Sequence, residues 1–450
     1  MFKKDLGLHI DLYELTMAAG YFQNDARMTA GFELICHSMP PARPFLVACG
    51  LQQAVDYVLN LRFSSQDVAY LRSLSVFKSV AKDFFDYLKG FKFTGNIWAM
   101  PEGEIFFARE PVIHIEAPII EAQVLETCLL SIFNIESMVA TKAARLSLAA
   151  RCDGRQRHVI DFGARRAHGL EAALLSARAA YIGGAEGTSN VRAGQEFGIP
   201  LYGTMAHAWV EAFDREEESF RKFHDVFPDD TVVLIDTYDT LKSVKMITTL
   251  DIRERIKGVR LDSGNLSLLS KKVRRILDHA GLKSVKIMAS GNLDEHKILK
   301  LIRQKSPIDI FGVGTELMVS PDCPVLNLTY KLVQTKDGQG IKFKAKNSPR
   351  KQTVPGHKQV FRITDQKGGI KKDVIALSRE KPPAGGRSLL RLIVKDGRLV
   401  SRLPSMEESR QYLRQRLAPW VSSLQRRPRV LIEYSHKLSQ LADRFQRTGR

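Results

Sequence analysis

From residue 159 onward the chain repeats one pattern: a short apolar run, a cluster of small and polar residues at its end, then a helical stretch. Seven such clusters occur: DFGARR at 161–166, GGAEGTS at 183–189, GTMAH at 203–207, IDTYD at 235–239, RLDSG at 260–264, ASGN at 289–292 and GVGT at 312–315. Helical spacing follows several of them, at 169–180, 240–250, 267–280 and 294–303. The run 267–280 puts Leu268, Leu269, Val273, Ile276 and Leu277 on one face with Lys and Arg between them. Strands alternating with helices predict a parallel sheet or a (β/α) barrel. In a barrel the polar strand ends share one face, where enzymes of this architecture keep their chemistry. Residues far apart in the chain are thereby predicted to meet. Fewer than eight strands are legible, so the barrel is expected to be irregular or completed by other segments.

The chain before this region reads as α+β. A helix is expected from Asp11 (a candidate N-cap), strands at 29–34 and 43–48, helices at 51–61 and 64–74, and a hairpin-like pair at 95–100 and 104–107. The stretch 119–148 has apolar residues at helical spacing, with Asn134 as a possible interruption. Lys142 and Arg145 near its end read as solvated surface, with a ligand contact as the alternative.

The chemistry of the predicted face can be read residue by residue. Gly-rich turns at 183–189, 290–292 and 312–315 offer backbone N–H groups to phosphate, although most such turns merely turn. Arg165, Arg166 and Arg260 supply forked donors for phosphate or carboxylate. Asp236, Asp239 and Asp262 suit Mg²⁺ or sugar hydroxyls. Phe162 is an apolar ring suited to a flat ligand. Ser263 and Gly264 suit a tight turn after Arg260 and Asp262. An Arg–Asp pair that only ties off a strand is the competing reading there. His207 sits at a strand end, where a polar catalytic role is favoured over a structural one. The face is built for phosphate, sugar and a flat aromatic.

Composition narrows the classes. The hydrophobic fraction of 44% is that of a globular protein. Five scattered cysteines without a CxxC argue for a reducing cytoplasm and against a zinc or disulfide framework. No signal peptide and no membrane segment are read, so a cytoplasmic location is expected. The net charge of +19, conspicuous in RRPR at 426–429, favours anionic partners. Without a recognition motif it supports no nucleic-acid partner.

Several motifs carry a resemblance. DLYELTM at 11–17, EAPIIEAQVLET at 116–127, ATKAAR at 140–145, VIDFGARRAHG at 159–169, GTSNV at 187–191, YGTMAHAWV at 202–210, GVRLDSGNL at 258–266, KIMASGNLDE at 286–295, IFGVGTELMVS at 310–320, YKLV at 330–333 and PGHKQVFR at 355–362 resemble the nicotinate phosphoribosyltransferases. Their order is consistent over roughly the first 360 residues. The resemblance implies an irregular (β/α) barrel of the type II phosphoribosyltransferase kind with an adjoining α+β domain. The expected bounds are 1–118 for the N-terminal α+β domain, 119–325 for the barrel, and 326–450 for a basic segment returning to the α+β domain.

It also implies an activity: nicotinate and phosphoribosyl pyrophosphate give nicotinate mononucleotide and pyrophosphate, with Mg²⁺ and coupled ATP hydrolysis, as the first step of NAD salvage. A homodimer with shared active sites is implied. Carried onto this chain, Phe162 and the partner subunit's Tyr13 sandwich the pyridine, and Arg165 and Arg260 lie near the nicotinate and the ribose–phosphate end. Thr188 and Ser189 contact substrate. Asp262, Asp236, Ser263 and Gly264 serve the ribose and the magnesium pyrophosphate, with Asp236 the metal ligand. Gly291, Gly312, Gly314 and Thr315 bind the 5′-phosphate, and His207 is the phosphohistidine. Related nicotinamide enzymes carry an aspartate at the position of Ser189, so nicotinate is the expected substrate. Asn265 and Asn292 depart from the family's usual acids; asparagine keeps an acceptor oxygen but not the charge.

Overall fold

The structure, a computed structural model, describes residues 6–41, 43–346, 353–420 and 430–448. The chain divides into two compact units. One comprises 1–138, 325–419 and 427–450; the other comprises 139–324 and 420–426. The basic run at 426–429 lies outside the described residues.

The second unit contains the parallel sheet. Its strands are His158–Asp161, Gly187–Thr188, Val232–Leu234, Gly258–Leu261, Lys286–Ala289 and Ile310–Val313. From Val232–Leu234 onward each strand pairs with the next in the chain, and Ile310–Val313 returns to pair in parallel with His158–Asp161. The sheet ends at Gly187–Thr188 and Val232–Leu234, which leaves the barrel open there. An isolated parallel bridge from Thr188 to Leu201 adds a partial seventh strand. The strands are apolar on both faces, with Val159, Ile160, Val233, Leu234, Val259, Leu261, Ile287, Phe311 and Val313 all buried. That is the pattern of a parallel sheet covered on both sides. The intervening helices include Leu170–Ile182, Thr240–Ile247, Leu266–His279 and Glu295–Arg303.

The stretch 119–150 is long and apolar enough by composition to cross a bilayer, but most of it is buried within the protein. Within it the helix Glu126–Ala150 runs unbroken past Asn134, whose side chain instead accepts from Leu326 N at 2.7 Å. The boundary expected at 118/119 falls at 138/139, inside this helix. Its first half is tied to the first unit: Thr127 bonds Asp11 and Glu14, and Ser137 Oγ bonds the Cys49 backbone. Its second half is wholly buried in the second unit. Lys142 and Arg145 are therefore neither surface nor ligand-facing. Lys142 Nζ lies 2.8 Å from Glu295 and 2.9 Å from Asp322, and Arg145 contacts the same two carboxylates at 2.6 and 2.7 Å. Burying these cations is tolerable only because both are so paired.

The first unit is built on a seven-stranded sheet. Thr29–Cys36 lies between Pro111–Pro118 and Leu328–Asp337, antiparallel to both. A four-stranded sheet holds Lys358–Thr364 and Ile370–Leu377 at its centre. The expected hairpin does not form. Asn96–Ala99 pairs with Pro111–Pro118, while Ile105–Phe106 pairs with Leu46–Val47. Glu104, a buried carboxylate beside Ile105, accepts from Arg362 at 2.7 Å and Arg387 at 2.9 Å and ties this segment to a part of the unit distant in sequence.

Candidate active site

The strand ends of the second unit gather the predicted clusters. Asp161 closes the first strand and is buried. Its Oδ1 accepts from Gly163 N at 2.8 Å and its Oδ2 from Thr188 Oγ1 at 2.6 Å. Its carbonyl accepts from Ser189 N at 2.8 Å. Burial pushes the Asp161 carboxyl up to about 6, against the lowering effect of these hydrogen bonds. Phe162 follows, half-buried, with its N–H donating to Val313 O at 2.9 Å. Its ring lies against Gly312, where an added Cβ would sit 2.5 Å from the ring. The Arg260 guanidinium lies 5.8 Å from the ring centroid, within cation–π range.

Arg260 is the hub of the face. Its Nε donates to Ser290 Oγ at 3.0 Å, Nη1 to Thr204 Oγ1 and Met205 O at 3.1 Å, and Nη2 to Asp262 Oδ1 at 3.1 Å. Three chain segments, its own included, are thus held by one planar fork. Asp262 also accepts a short hydrogen bond from Ser290 Oγ. Burial pushes its carboxyl up, but Ser290 and the Arg260 charge outweigh that and hold it below the usual carboxylate range. Asp262 N and Ser263 Oγ both donate to Asp236 Oδ2, at 2.8 and 2.7 Å. Asp236 Oδ1 is buried with no hydrogen-bond partner. An orphaned carboxylate oxygen next to a second carboxylate residue is a donor set that a hard cation or a sugar hydroxyl satisfies.

His207 opens the helix His207–Glu211, and its Nδ1 lies 3.1 Å from Thr237 Oγ1. The turn at Gly291 has φ +93°, and an added Cβ would sit 2.1 Å from Asp262 O. Only glycine lets the two strand ends approach this closely.

The chain matches two family models: the nicotinate phosphoribosyltransferase N-terminal domain over residues 8–134, and the nicotinate phosphoribosyltransferase family over 157–341. It is 44% identical over 415 residues to nicotinate phosphoribosyltransferase pncB2 of Mycobacterium tuberculosis, covering 91% of this chain and 86% of that protein. It is 40% identical over 390 residues to nicotinate phosphoribosyltransferase of Bacillus subtilis, covering 84% and 78%. The chain belongs to the nicotinate phosphoribosyltransferase family. Its fold follows the crystal structure of human nicotinic acid phosphoribosyltransferase with a TM-score of 0.83 at 27% identity, over 96% of this chain and 99% of that one.

The structure places the residues expected from the nicotinate phosphoribosyltransferase resemblance in different settings. Phe162, Arg260, Asp262, Ser263, Asp236 and Gly291 are brought together as described. Arg165 lies on the turn Ala164–Arg166 and is exposed, and Ser189 is exposed at its strand end. Gly264 takes φ +75° in the turn before helix Leu266–His279, and Gly314 and Thr315 open the short helix Thr315–Val319. Tyr13 belongs to the first unit, where it is 45% exposed on helix Leu12–Gln23. Gly312 is also the seat of the Phe162 ring. Thr188 stands apart: its side chain is buried and its hydroxyl is bonded to Asp161. Asp239, a candidate ligand, caps helix Thr240–Ile247 by accepting from Leu241 N and Lys242 N at 3.0 Å.

The departures at Asn265 and Asn292 have local explanations. Asn265 caps helix Leu266–His279, its Oδ1 accepting from Leu268 N at 3.1 Å, a role asparagine fills as well as aspartate. Asn292 takes φ +48°, which asparagine tolerates better than most residues. Sequence reasoning passed over Asp161, Thr204 and Thr237 as individual residues, although each stands inside a cluster it singled out. Their signal was position beside a chosen residue, which the spacing alone did not weigh.

Proposed function

We propose that this chain joins nicotinate to phosphoribosyl pyrophosphate, forming nicotinate mononucleotide and pyrophosphate in the first step of NAD salvage from nicotinate. The observation that carries the reading is the Asp236–Asp262 pair, with its orphaned buried oxygen, set beside Arg260 under the Phe162 ring. The pyridine lies against Phe162, and the ribose hydroxyls bond the two aspartates. As C1 of the ribose loses pyrophosphate it gains oxocarbenium character, and the pyridine nitrogen attacks it. Catalysis is then chiefly positioning and neutralisation of the leaving group. Arg165, free of an ion-pair partner among the described residues, is placed to meet an anionic group. The turns at Gly291 and 312–315 present backbone N–H groups for the 5′-phosphate. Mg²⁺ fits Asp236, with Asp262 beside it, and when bound it supplies charge neutralisation for the pyrophosphate.

ATP enters this reading through His207. With Nδ1 engaged by Thr237, the ring's Nε2 is the nitrogen left to take a phosphoryl group. A phosphorylated histidine adds charge near Asp262 and orders the leaving-group site. The working unit is a homodimer in the cytoplasm, each site borrowing the partner subunit's Tyr13.

The test is pyrophosphate release from phosphoribosyl pyrophosphate with nicotinate or nicotinamide, with and without ATP. Turnover with nicotinate, raised by ATP, is expected. His207→Ala is expected to keep the ATP-independent rate and lose the stimulation. Turnover with nicotinamide alone, or with neither substrate, would overturn the reading.

A further inference from the structure

Two walls of the proposed pyridine site, the Phe162 ring and Ser189, come from adjacent strands and share no direct contact with Arg260's hydrogen-bond network except through the ring itself. What joins them is Asp161. One carboxylate oxygen holds Gly163 N, fixing the turn that carries Phe162; the other holds the Thr188 hydroxyl, one residue before Ser189. The Asp161 carbonyl receives Ser189 N, and Thr188 Oγ1 in turn receives Asn190 N at 3.0 Å. The turn cannot drift the other way. A Cβ on Gly163 would sit 2.1 Å from Met318 Cγ and 2.9 Å from Gly314 O, so the backbone there is already pressed against the next element. Asp161 is 1% exposed and Thr188 is fully buried, so neither touches a bound substrate.

We infer that Asp161 and Thr188 form a positioning pair that sets the Phe162 and Ser189 walls, and so governs the fit of the aromatic acid without touching the phosphoribosyl end. The pair's hydrogen bonds include none to Arg260, Asp262, Asp236 or Ser290, which serve that other end. The raised Asp161 carboxyl agrees with a group sealed from water by both walls. This inference rests on the function proposed above.

Steady-state kinetics of the full chain with both substrates tests it. Thr188→Val is nearly isosteric and removes the hydroxyl with its bonds to Asp161 Oδ2 and from Asn190 N. Its nicotinate KM is expected to rise about tenfold or more, since both bonds of the buried hydroxyl are lost. Its KM for phosphoribosyl pyrophosphate is expected to stay within about twofold, and Thr188→Ser to restore most of the loss. A rise in both KM values together, an unchanged nicotinate KM, or a Ser variant as poor as Val overturns the inference. Should Thr188→Val fail to fold, Asp161→Asn takes its place, because it keeps an acceptor for Gly163 N and turns the other oxygen into a donor. A selective rise in nicotinate KM supports the pair, and none overturns it. Absence of nicotinate turnover by the unmodified chain would instead sink the proposed function, so the two failures are told apart.

Discussion

Ser189 stands exposed at a strand end where the resemblance places an aspartate in nicotinamide enzymes. On the proposed placement of the pyridine, a carboxylate there would face the carboxylate of nicotinate, and an unpaired like charge is an effective means of rejection. Ser189→Asp is expected to raise the nicotinate KM roughly tenfold or more. Kinetics that do not change would remove Ser189 from the account of specificity. Asp161 gives a second prediction at this scale. Its folded pKa of about 6 lies above the ordinary aspartate value. Between those values the folded chain binds more protons than the unfolded one, so this group's contribution to stability falls as pH rises towards 6. Asp161→Asn removes that pH dependence while giving up the acceptor for the Thr188 hydroxyl, so its stability relative to the unmodified chain is expected to be greater at pH 8 than at pH 4 by roughly 1–3 kcal/mol. Denaturant titration at the two pH values decides it, and an equal difference at both refutes the assignment. Single residues were the least legible level. Thr188 sits in a motif whose neighbours face the site, and only burial distinguishes a tie from a contact. Lys142 and Arg145 look like surface until the carboxylates of Glu295 and Asp322, far along the chain, are seen to reach them.

Helices and strand ends were far more legible, because their signals are local. Helices expected at 51–61, 169–180 and 294–303 occur as Leu51–Asn60, Leu170–Ile182 and Glu295–Arg303. Apolar periodicity and capping residues are short-range properties and survive in almost any tertiary context. The failed hairpin shows the opposite case: 96–99 and 105–106 are close in sequence, yet they pair with 113–116 and 46–47, and the carboxylate between them is bonded to arginines from a distant segment. The cap of helix Leu266–His279 yields a prediction about elements. Asn265→Ala is expected to cost about 1 kcal/mol of stability, whereas Asn265→Asp stays within a few tenths. Denaturant midpoints measure both. A large effect of the aspartate variant would mean that Asn265 does more than cap.

For the whole molecule, the proposed shared site makes a mixing experiment informative. Tyr13→Ala and Asp262→Asn are each expected to abolish most turnover as pure proteins. In a homodimer whose sites draw Tyr13 from one subunit and Asp262 from the other, co-refolded mixtures should regain about a quarter of unmodified turnover, since half the dimers carry one intact site of two. No recovery from a mixture shown to exchange subunits would place both residues in the same subunit's site. At this scale the sequence carried the clusters of the parallel sheet well, since the chain returns to one face with every strand. It carried the boundary at 138/139 poorly, because a single uninterrupted helix belongs to both units.

The pairing of Thr29–Cys36 with Leu328–Asp337 has a consequence for biosynthesis. Thr29 is matched with Lys336, so roughly 300 residues must be translated before that edge finds its neighbour. At ribosomal speeds of about 5–20 residues per second, the nascent strand waits on the order of 15–60 s with an open, apolar edge. The barrel segment is synthesised during that interval and can close on itself first, leaving the earlier sheet as the stage of folding most exposed to aggregation and most in need of a chaperone at the ribosome.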